Sequence, residues 1–398
     1  MQSNPSPAST YSAVAADPSA APGRPVAETP RRFQYTLSLI VRGIYDDNIN
    51  NSSINHVSDF YFAIEPVVTL GFGGAESASS VSLIYRPSLF VFVDHSENDT
   101  VQQLIRAQAA HRFGRLALSF SQDVQLLDGT DLNSLSDPTG HQANNDVSGR
   151  VRHEIYTTSL SASYDLTGKL SLSGGGTFYA DVYRAPLISS GNVSGNLFLN
   201  YNYSEKLVVG LGGTGGYSTT DNSGPFSNDE TFEQANVRVN YSATAKITLS
   251  ASGGIEFRQS SNGSNDNVSP VYELDASYQP FDGTSLTLSG SRRTYNSASL
   301  SGQDYADTTI NFAITQRLLQ RFFVGLAVGY TNNNYFSTVN GVNSTRNDDF
   351  YYIDPSIDFN VTRFWTFGGY YVHRETTSSV ALFSFTDNQF GFRTKLTF

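Results

Sequence analysis

From Phe33 onward, apolar and polar residues alternate with a period of two, the pattern of strands whose two faces meet different surroundings. The stretch 246–258 shows it most clearly. Ile247, Leu249, Ala251, Ile255 and Phe257 fall on one face, and Lys246, Thr248, Ser250, Ser252, Glu256 and Arg258 fall on the other. Likewise Val101, Ile105, Ala107 and Ala109 oppose Gln102, Arg106, Gln108 and Arg112, while Leu274, Ala276 and Tyr278 oppose Glu273, Asp275 and Ser277. Helical periodicity is absent, and no stretch approaches the ~20 consecutive apolar residues of a membrane-spanning helix.

The connections between these strands alternate in length. Short ones are Phe113-Gly114-Arg115, Thr167-Gly168-Lys169, Ser204-Glu205-Lys206, Ala243-Thr244-Ala245, Phe281-Asp282-Gly283 and Thr362-Arg363. Between them lie polar loops at 50–56, 95–100, 128–146, 221–229, 260–267, 332–347 and 376–380. Tight turns at one end and long loops at the other predict an all-β fold, a transmembrane antiparallel up-and-down β-barrel of about 18 strands with short periplasmic turns and longer extracellular loops. Loop centres recur roughly every forty residues, a spacing that propeller blades share. Each period here holds two long strands rather than four short ones, and strands of about 12–16 residues exceed the ~9–11 needed to cross a bilayer. An even strand count places both chain ends on the short-turn side, the periplasm.

Composition strengthens this picture. Hydrophobic residues make up only 39% of the 398 residues and charged ones 15%, yet aromatics reach 13%. That is too little apolar material for a large dry core and too little charge for an ordinary soluble surface. It suits an apolar band in lipid around a polar interior. The absence of cysteine excludes disulfides, thiol catalysis and cysteine-type zinc sites. A net charge of −11 argues against nucleic-acid binding and fits loops facing lipopolysaccharide and its cations. Residues 1–32 carry no strand pattern. Ala13-Val14-Ala15-Ala16 resembles the end of a secretory signal, but the basic start and apolar run are missing. The segment reads either as the remnant of a signal that starts upstream or as a disordered periplasmic tail, and the barrel as 33–398.

Aromatic residues recur beside the short turns: Tyr164, Tyr203, Tyr241, Tyr278, Phe359 and Trp365. Rings held at one depth form a girdle at the membrane boundary. The last strand places Phe390, Phe392, Thr394, Leu396 and the terminal Phe398 on one face. Phe390, Phe392, Leu396 and Phe398 resemble the C-terminal signal read by the barrel-assembly machinery. Arg42-Gly43-Ile44-Tyr45-Asp46-Asp47-Asn48-Ile49 resembles the opening signature of the β-barrel porin 2 family, and the layout from Phe33 to Phe398 is similar to that family's. The resemblance implies an outer-membrane barrel. Some relatives accompany exopolysaccharide export systems, which would add periplasmic export components as partners.

Little in the chain points to covalent chemistry. His56, His95, His111, His141, His153 and His373 lack metal-ligand spacing, and no Ser/His or Asp/His constellation stands at either rim. Gly210-Leu211-Gly212-Gly213-Thr214-Gly215 satisfies a dinucleotide fingerprint but lies inside a strand, where such glycines serve close packing. Alternation assigns Arg42, Glu65, Arg86, Arg106, Arg112, Asp123, Arg238, Glu256, Arg258, Glu273, Asp275, Arg393 and Lys395 to the lumen, because Arg or Lys facing mid-bilayer lipid costs ~2–4 kcal/mol. Neighbouring strands should bring Arg42, Glu65 and Arg86 together, and Arg258 near Glu273 or Asp275. Such charges either cross-link the wall or set an ion-selective field.

The expectation is an outer-membrane pore for passive passage of small polar solutes or ions. It needs no catalytic residue, metal or cofactor, and its partners are outer-membrane lipid, lipopolysaccharide and the assembly machinery. At about 18 strands the wall is too wide for its side chains to fill, and 128–146 is the longest loop available to fold inward. An exopolysaccharide-export conduit and a non-conducting surface or adhesin-type barrel are the alternatives.

Overall fold

The computed structural model describes residues 33–73, 77–128, 145–221, 229–261, 266–338 and 345–398. The N-terminal segment 1–32 and most of the 128–146 loop, His141 included, lie outside the described residues. The first six strands are β1 (Phe33–Asp46), β2 (Asp59–Phe72), β3 (Ser79–Phe92), β4 (Thr100–Phe113), β5 (Leu116–Asp128) and β6 (Arg152–Asp165). Next come β7 (Leu170–Tyr183), β8 (Ser190–Asn202), β9 (Leu207–Thr220), β10 (Glu230–Thr244), β11 (Ile247–Ser260) and β12 (Asn267–Tyr278). The rest are β13 (Thr284–Asn296), β14 (Gln303–Leu318), β15 (Phe322–Ser337), β16 (Asn347–Asn360), β17 (Trp365–Ser378) and β18 (Phe385–Thr397).

Every strand pairs antiparallel with its neighbours in sequence, and β1 also pairs with β18 from Ser38↔Thr397 to Asp46↔Gln389. The 18-stranded sheet therefore closes on itself, as the turn pattern predicted, and every wall strand has partners on both sides. Side chains alternate in and out of this wall. Leu160, Leu197, Leu211, Val237, Ile255 and Ile310, all within strands, stand exposed on the outer face. An apolar belt of that extent is unfavourable in water and favourable in lipid, so the barrel is built to span a membrane.

The described residues depart from the sequence pattern at several connections. Two loops on the long side, 184–189 and 297–302, escaped it, as did the turn Leu319-Gln320-Arg321. In that turn Leu319 and Gln320 adopt φ of 48° and 64°, a conformation that glycine or asparagine would normally announce. A leucine there carries no turn signal. The loops expected from 332 and from 376 begin later, because β15 runs to Ser337 and β17 to Ser378. At these strand ends the inward-facing Asn333, Tyr335 and Thr376 are buried, and polar residues stand on both faces, so the apolar–polar alternation is lost.

Most neighbouring strands pair along nearly their whole length. β12 and β13 pair only between Tyr272↔Arg292 and Tyr278↔Leu286. Their extracellular ends separate around a cavity of about 430 Å³ lined by Ser269, Pro270, Arg292, Ala306 and Asn334, among others. Pro270 has no N–H to offer a ladder at that point.

Candidate functional site

The lumen wall is studded with ion pairs, and backbone register decides who meets whom. On β1–β3, Glu65 is 1% exposed and accepts four hydrogen bonds. Arg42 donates from Nε (3.0 Å) and Nη2 (3.2 Å), Arg86 from Nη2 (3.0 Å) and Ser88 from Oγ (3.0 Å). The three charges that alternation brought together do meet. Arg106 grips Asp123 across β4–β5 with Nε–Oδ1 at 2.5 Å and Nη2–Oδ2 at 3.3 Å. Near the periplasmic turns Arg112 pairs with Asp165 at 3.0 Å. Arg393 clamps Asp358 through Nε (2.8 Å) and Nη2 (2.5 Å).

Among the described residues Arg238 pairs with no carboxylate. It donates to Asn200 Oδ1 (2.9 and 2.6 Å) and Ser173 Oγ (2.5 Å), and its guanidinium lies 4.3 Å from the ring centre of Phe198. The glycines of the dinucleotide-like run make this possible. A Cβ on Gly210 would come within 2.6 Å of Asn200 Oδ1, and one on Gly212 within 2.2 Å of the Leu197 carbonyl. The run is therefore a packing solution inside β9.

The structure corrects one expected pairing. Arg258 meets neither Glu273 nor Asp275, because its register partner on β12 is Asn267 and Glu273 stands opposite Ser252. It bonds instead to Glu230 (2.8 Å) and Glu256 (3.2 Å), with Asp304 at 3.7 Å. Glu273 is held by Arg293 at 2.8 Å. Asp275 sits between Ser250 and Ser289, and Lys395 between Ile40 and Thr366.

The expected girdle residues take the outer face beside the short turns. Tyr164, Tyr203, Tyr241, Tyr278 and Trp365 are exposed, and Phe359 is half-buried with its ring centre 4.7 Å from that of Phe322. Phe390, Phe392 and Phe398 are exposed, Leu396 is half-buried, and Phe398 exchanges backbone hydrogen bonds with Leu37. A second aromatic ring, unread in the sequence, marks the opposite rim. There the hydroxyls of Tyr156, Tyr217, Tyr330 and Tyr351 donate to Glu154, Asp229, Asp349 and Glu375.

The feature that shapes the lumen is the end of the β5–β6 loop. Residues 145–151 leave the wall and reach the opposite side of the ring. Asp146 accepts from Ser297 Oγ (2.8 Å) and from the Ala298 amide (2.5 Å), in the β13–β14 loop seven to eight strands round the 18-stranded ring from β6. Arg346, before β16, donates to the carbonyls of Asn145 (2.6 Å) and Asp146 (3.3 Å) and pairs with Asp348. Its guanidinium is sandwiched 3.9 Å from the Tyr335 ring centre and 3.6 Å from that of Phe383. Thr376 Oγ1 donates to Asn145 Oδ1 at 3.1 Å, Ser148 Oγ to the Leu382 carbonyl at 2.9 Å, and Arg150 Nη2 to the Asn98 carbonyl at 2.9 Å. Val147 completes an apolar knot with Tyr183 and Ala298, packed on Val151 and Leu187. The β7–β8 loop joins it, with the Ile188 amide donating to the Ala298 carbonyl.

This segment thus crosses the bore near its extracellular end. Burial pushes the Asp146 carboxyl above its usual range, against the opposing influence of the Ala298 amide, Arg346 and Ser297. Sequence reading named the loop but could not see Arg346, a lone arginine in a Ser/Asn/Asp-rich stretch. Nor could it see that 297–302 is the landing point.

Ser79 Oγ lies 2.6 Å from His111 Nδ1. The His111 ring centre lies 3.8 Å from that of Phe113 with the planes tilted by 57°; His111 shares the outward-facing side of β4 with Val101 and Ile105 and has no carboxylate hydrogen bond among the described residues. It is a contact at the lipid boundary rather than a nucleophile with its base.

No protein-family profile matches the chain, and no curated protein matches it. Solved structures do. The outer membrane protein OpdK of Pseudomonas aeruginosa is 11% identical, aligned over 92% of this chain and 98% of its own, with a TM-score of 0.44. OccAB2 of Acinetobacter baumannii is 10% identical over 92% and 98%, with a TM-score of 0.43. Pseudomonas aeruginosa OccK2 (OpdF), solved in complex with glucuronate, is 10% identical over 92% and 98%, also with a TM-score of 0.43. At this identity the likeness is one of architecture.

Proposed function

We propose that the chain is a passive pore of the bacterial outer membrane, admitting small polar solutes or ions through a lumen constricted by residues 145–151. The observation that carries this reading is the segment itself. A wall of 18 strands encloses more space than its side chains fill, and one polar crossing held at several points narrows that space. Passage then depends on bore and charge, with no bond made or broken, and the protein acts as a channel rather than an enzyme.

The ion pairs support passage of solutes of either sign. Arg106, Arg112 and Arg393 each face one carboxylate, Arg42 and Arg86 share Glu65, and Arg258 faces Glu230 and Glu256, so the wall presents a mosaic of both signs rather than a ring of one charge. The crossing segment favours small solutes over a polysaccharide chain, and the export-conduit reading has no support beyond the family resemblance. The likeness to the β-barrel porin 2 family rests on Arg42-Gly43-Ile44-Tyr45-Asp46-Asp47-Asn48-Ile49 and on the layout from Phe33 to Phe398. Lipopolysaccharide around the outer rim and the assembly machinery at Phe398 are the partners this reading implies.

Refolded protein in planar bilayers provides the test. Wild type should give discrete ohmic currents with weak ion selectivity. Arg346→Ala, which frees the carbonyls of Asn145 and Asp146, should raise the unitary conductance. Silence from both proteins would refute the pore and favour a structural barrel.

A further inference from the structure

The motif at the end of β1 has an arrangement that the pore does not use. Asp46 closes the β1–β18 register opposite Gln389, and beyond it the seam continues through side chains. The Asp47 amide donates to the Asn388 carbonyl, and Asn388 returns both its amide and its Nδ2 to the Asp47 carboxylate, each at 2.8 Å. Asn48 Nδ2 reaches the Thr386 carbonyl at 2.8 Å. Among these groups the carboxylates of Asp46, Asp47 and Asp387 each bring an oxygen within 4.8 Å of the others.

Asp46 and Asp387 are both buried, at 1% and 0% exposure, and their carboxyl groups face each other. Oδ2 of Asp387 is used by Arg374 (Nε at 2.7 Å) and Gln389 (Nε2 at 3.3 Å). Its Oδ1 is buried and has no hydrogen-bond partner among the described residues. Arg374 offsets one of the three negative charges. Two buried carboxylates in contact, one with an unused oxygen, call for a positive charge between them. Oxygen-only donors at this separation suit a hard divalent cation of the calcium type.

We propose that Asp46, Asp47 and Asp387 form a divalent-cation site that clasps the first strand to the last at the extracellular end of the closing seam. β1 and β18 are the one neighbouring pair with no hairpin between them, so each depends on lateral bonds to stay joined. A cation shared by both strands replaces the missing turn as a cross-link. The inference is independent of the pore, since a barrel without the clasp still encloses a lumen.

Thermal unfolding of refolded protein in detergent, with CaCl2 or with EDTA, reads the clasp without any current measurement. Calcium at 100-fold over its dissociation constant should raise the wild-type midpoint by at least about 3 °C. Asp387→Asn should abolish the shift. Asp47→Asn, at a half-buried position that leaves the Arg374 pair intact, should weaken calcium at least tenfold if the first variant fails to fold. Glu375→Gln, on the outer face, should retain the full shift. No shift in wild type, or an equal shift in Asp47→Asn, would overturn the site. So would stabilisation by acid in place of calcium, which would assign a shared proton to Asp46 and Asp387.

Discussion

Glu65 illustrates how single side chains hold the wall. It is buried among Arg42, Arg86 and Ser88, and both guanidiniums direct donors at its two oxygens. A buried pair is worth little against an apolar replacement of the whole group, but removing one partner strands the other. Glu65→Gln leaves two buried cations facing a neutral amide and should cost about 3–5 kcal/mol in denaturant unfolding. A loss below about 1 kcal/mol would mean that both guanidiniums find water in the lumen. Alternation alone predicted this trio, because its members lie at adjacent register positions. It failed for Arg258, which meets Glu230 diagonally across β10, on the side away from Glu273, and Asp304 from the non-adjacent β14.

In the proposed pore, passage turns on the crossing segment, and its anchor is expected to respond to pH. Asp146 lies in the loop before β6, outside the spanning strands, and burial raises its carboxyl above the usual range. The anchored segment therefore holds a proton more tightly than a released one. Anchoring strengthens as pH falls through the raised range and weakens as pH rises through it. Conductance should accordingly fall on mild acidification, and Asp146→Asn should flatten that dependence because its side chain cannot ionise. Single-channel recordings between pH 4 and 8 would decide the matter, and an unchanged profile in the variant would move the effect elsewhere.

At the scale of the molecule, the barrel is an inverted globule, apolar outside and polar within. Leu160, in the middle of β6, is 58% exposed on the outer face. Leu160→Arg should cost roughly 2–4 kcal/mol of folding into lipid bilayers, falling toward zero for an Arg placed near either rim. Measured by urea titration in liposomes, a mid-strand arginine without penalty would contradict the lipid-facing assignment. The seam between β1 and β18 is the other global feature, since closure removes the two exposed edges that would otherwise invite aggregation.

The class of fold, the strand count and the direction of the loops were legible in the sequence because each rests on short-range patterns. Side-chain alternation repeats every two residues, and turn length is written in a few adjacent residues. The inward charges followed from the same alternation, given the cost of placing them in lipid. Three things were decided only in three dimensions. The segment 145–151 meets 297–299, Arg346 and Thr376 across the bore, residues far apart in sequence with no periodic signal joining them. The turn at Leu319 and Gln320 is imposed by the strands it joins, against the preference of its own residues. And the motif Asp46-Asp47-Asn48 acquires its partners Asp387 and Asn388 only when the last strand returns to the first. A closed ring joins the two ends of the chain, and no local pattern records what they meet.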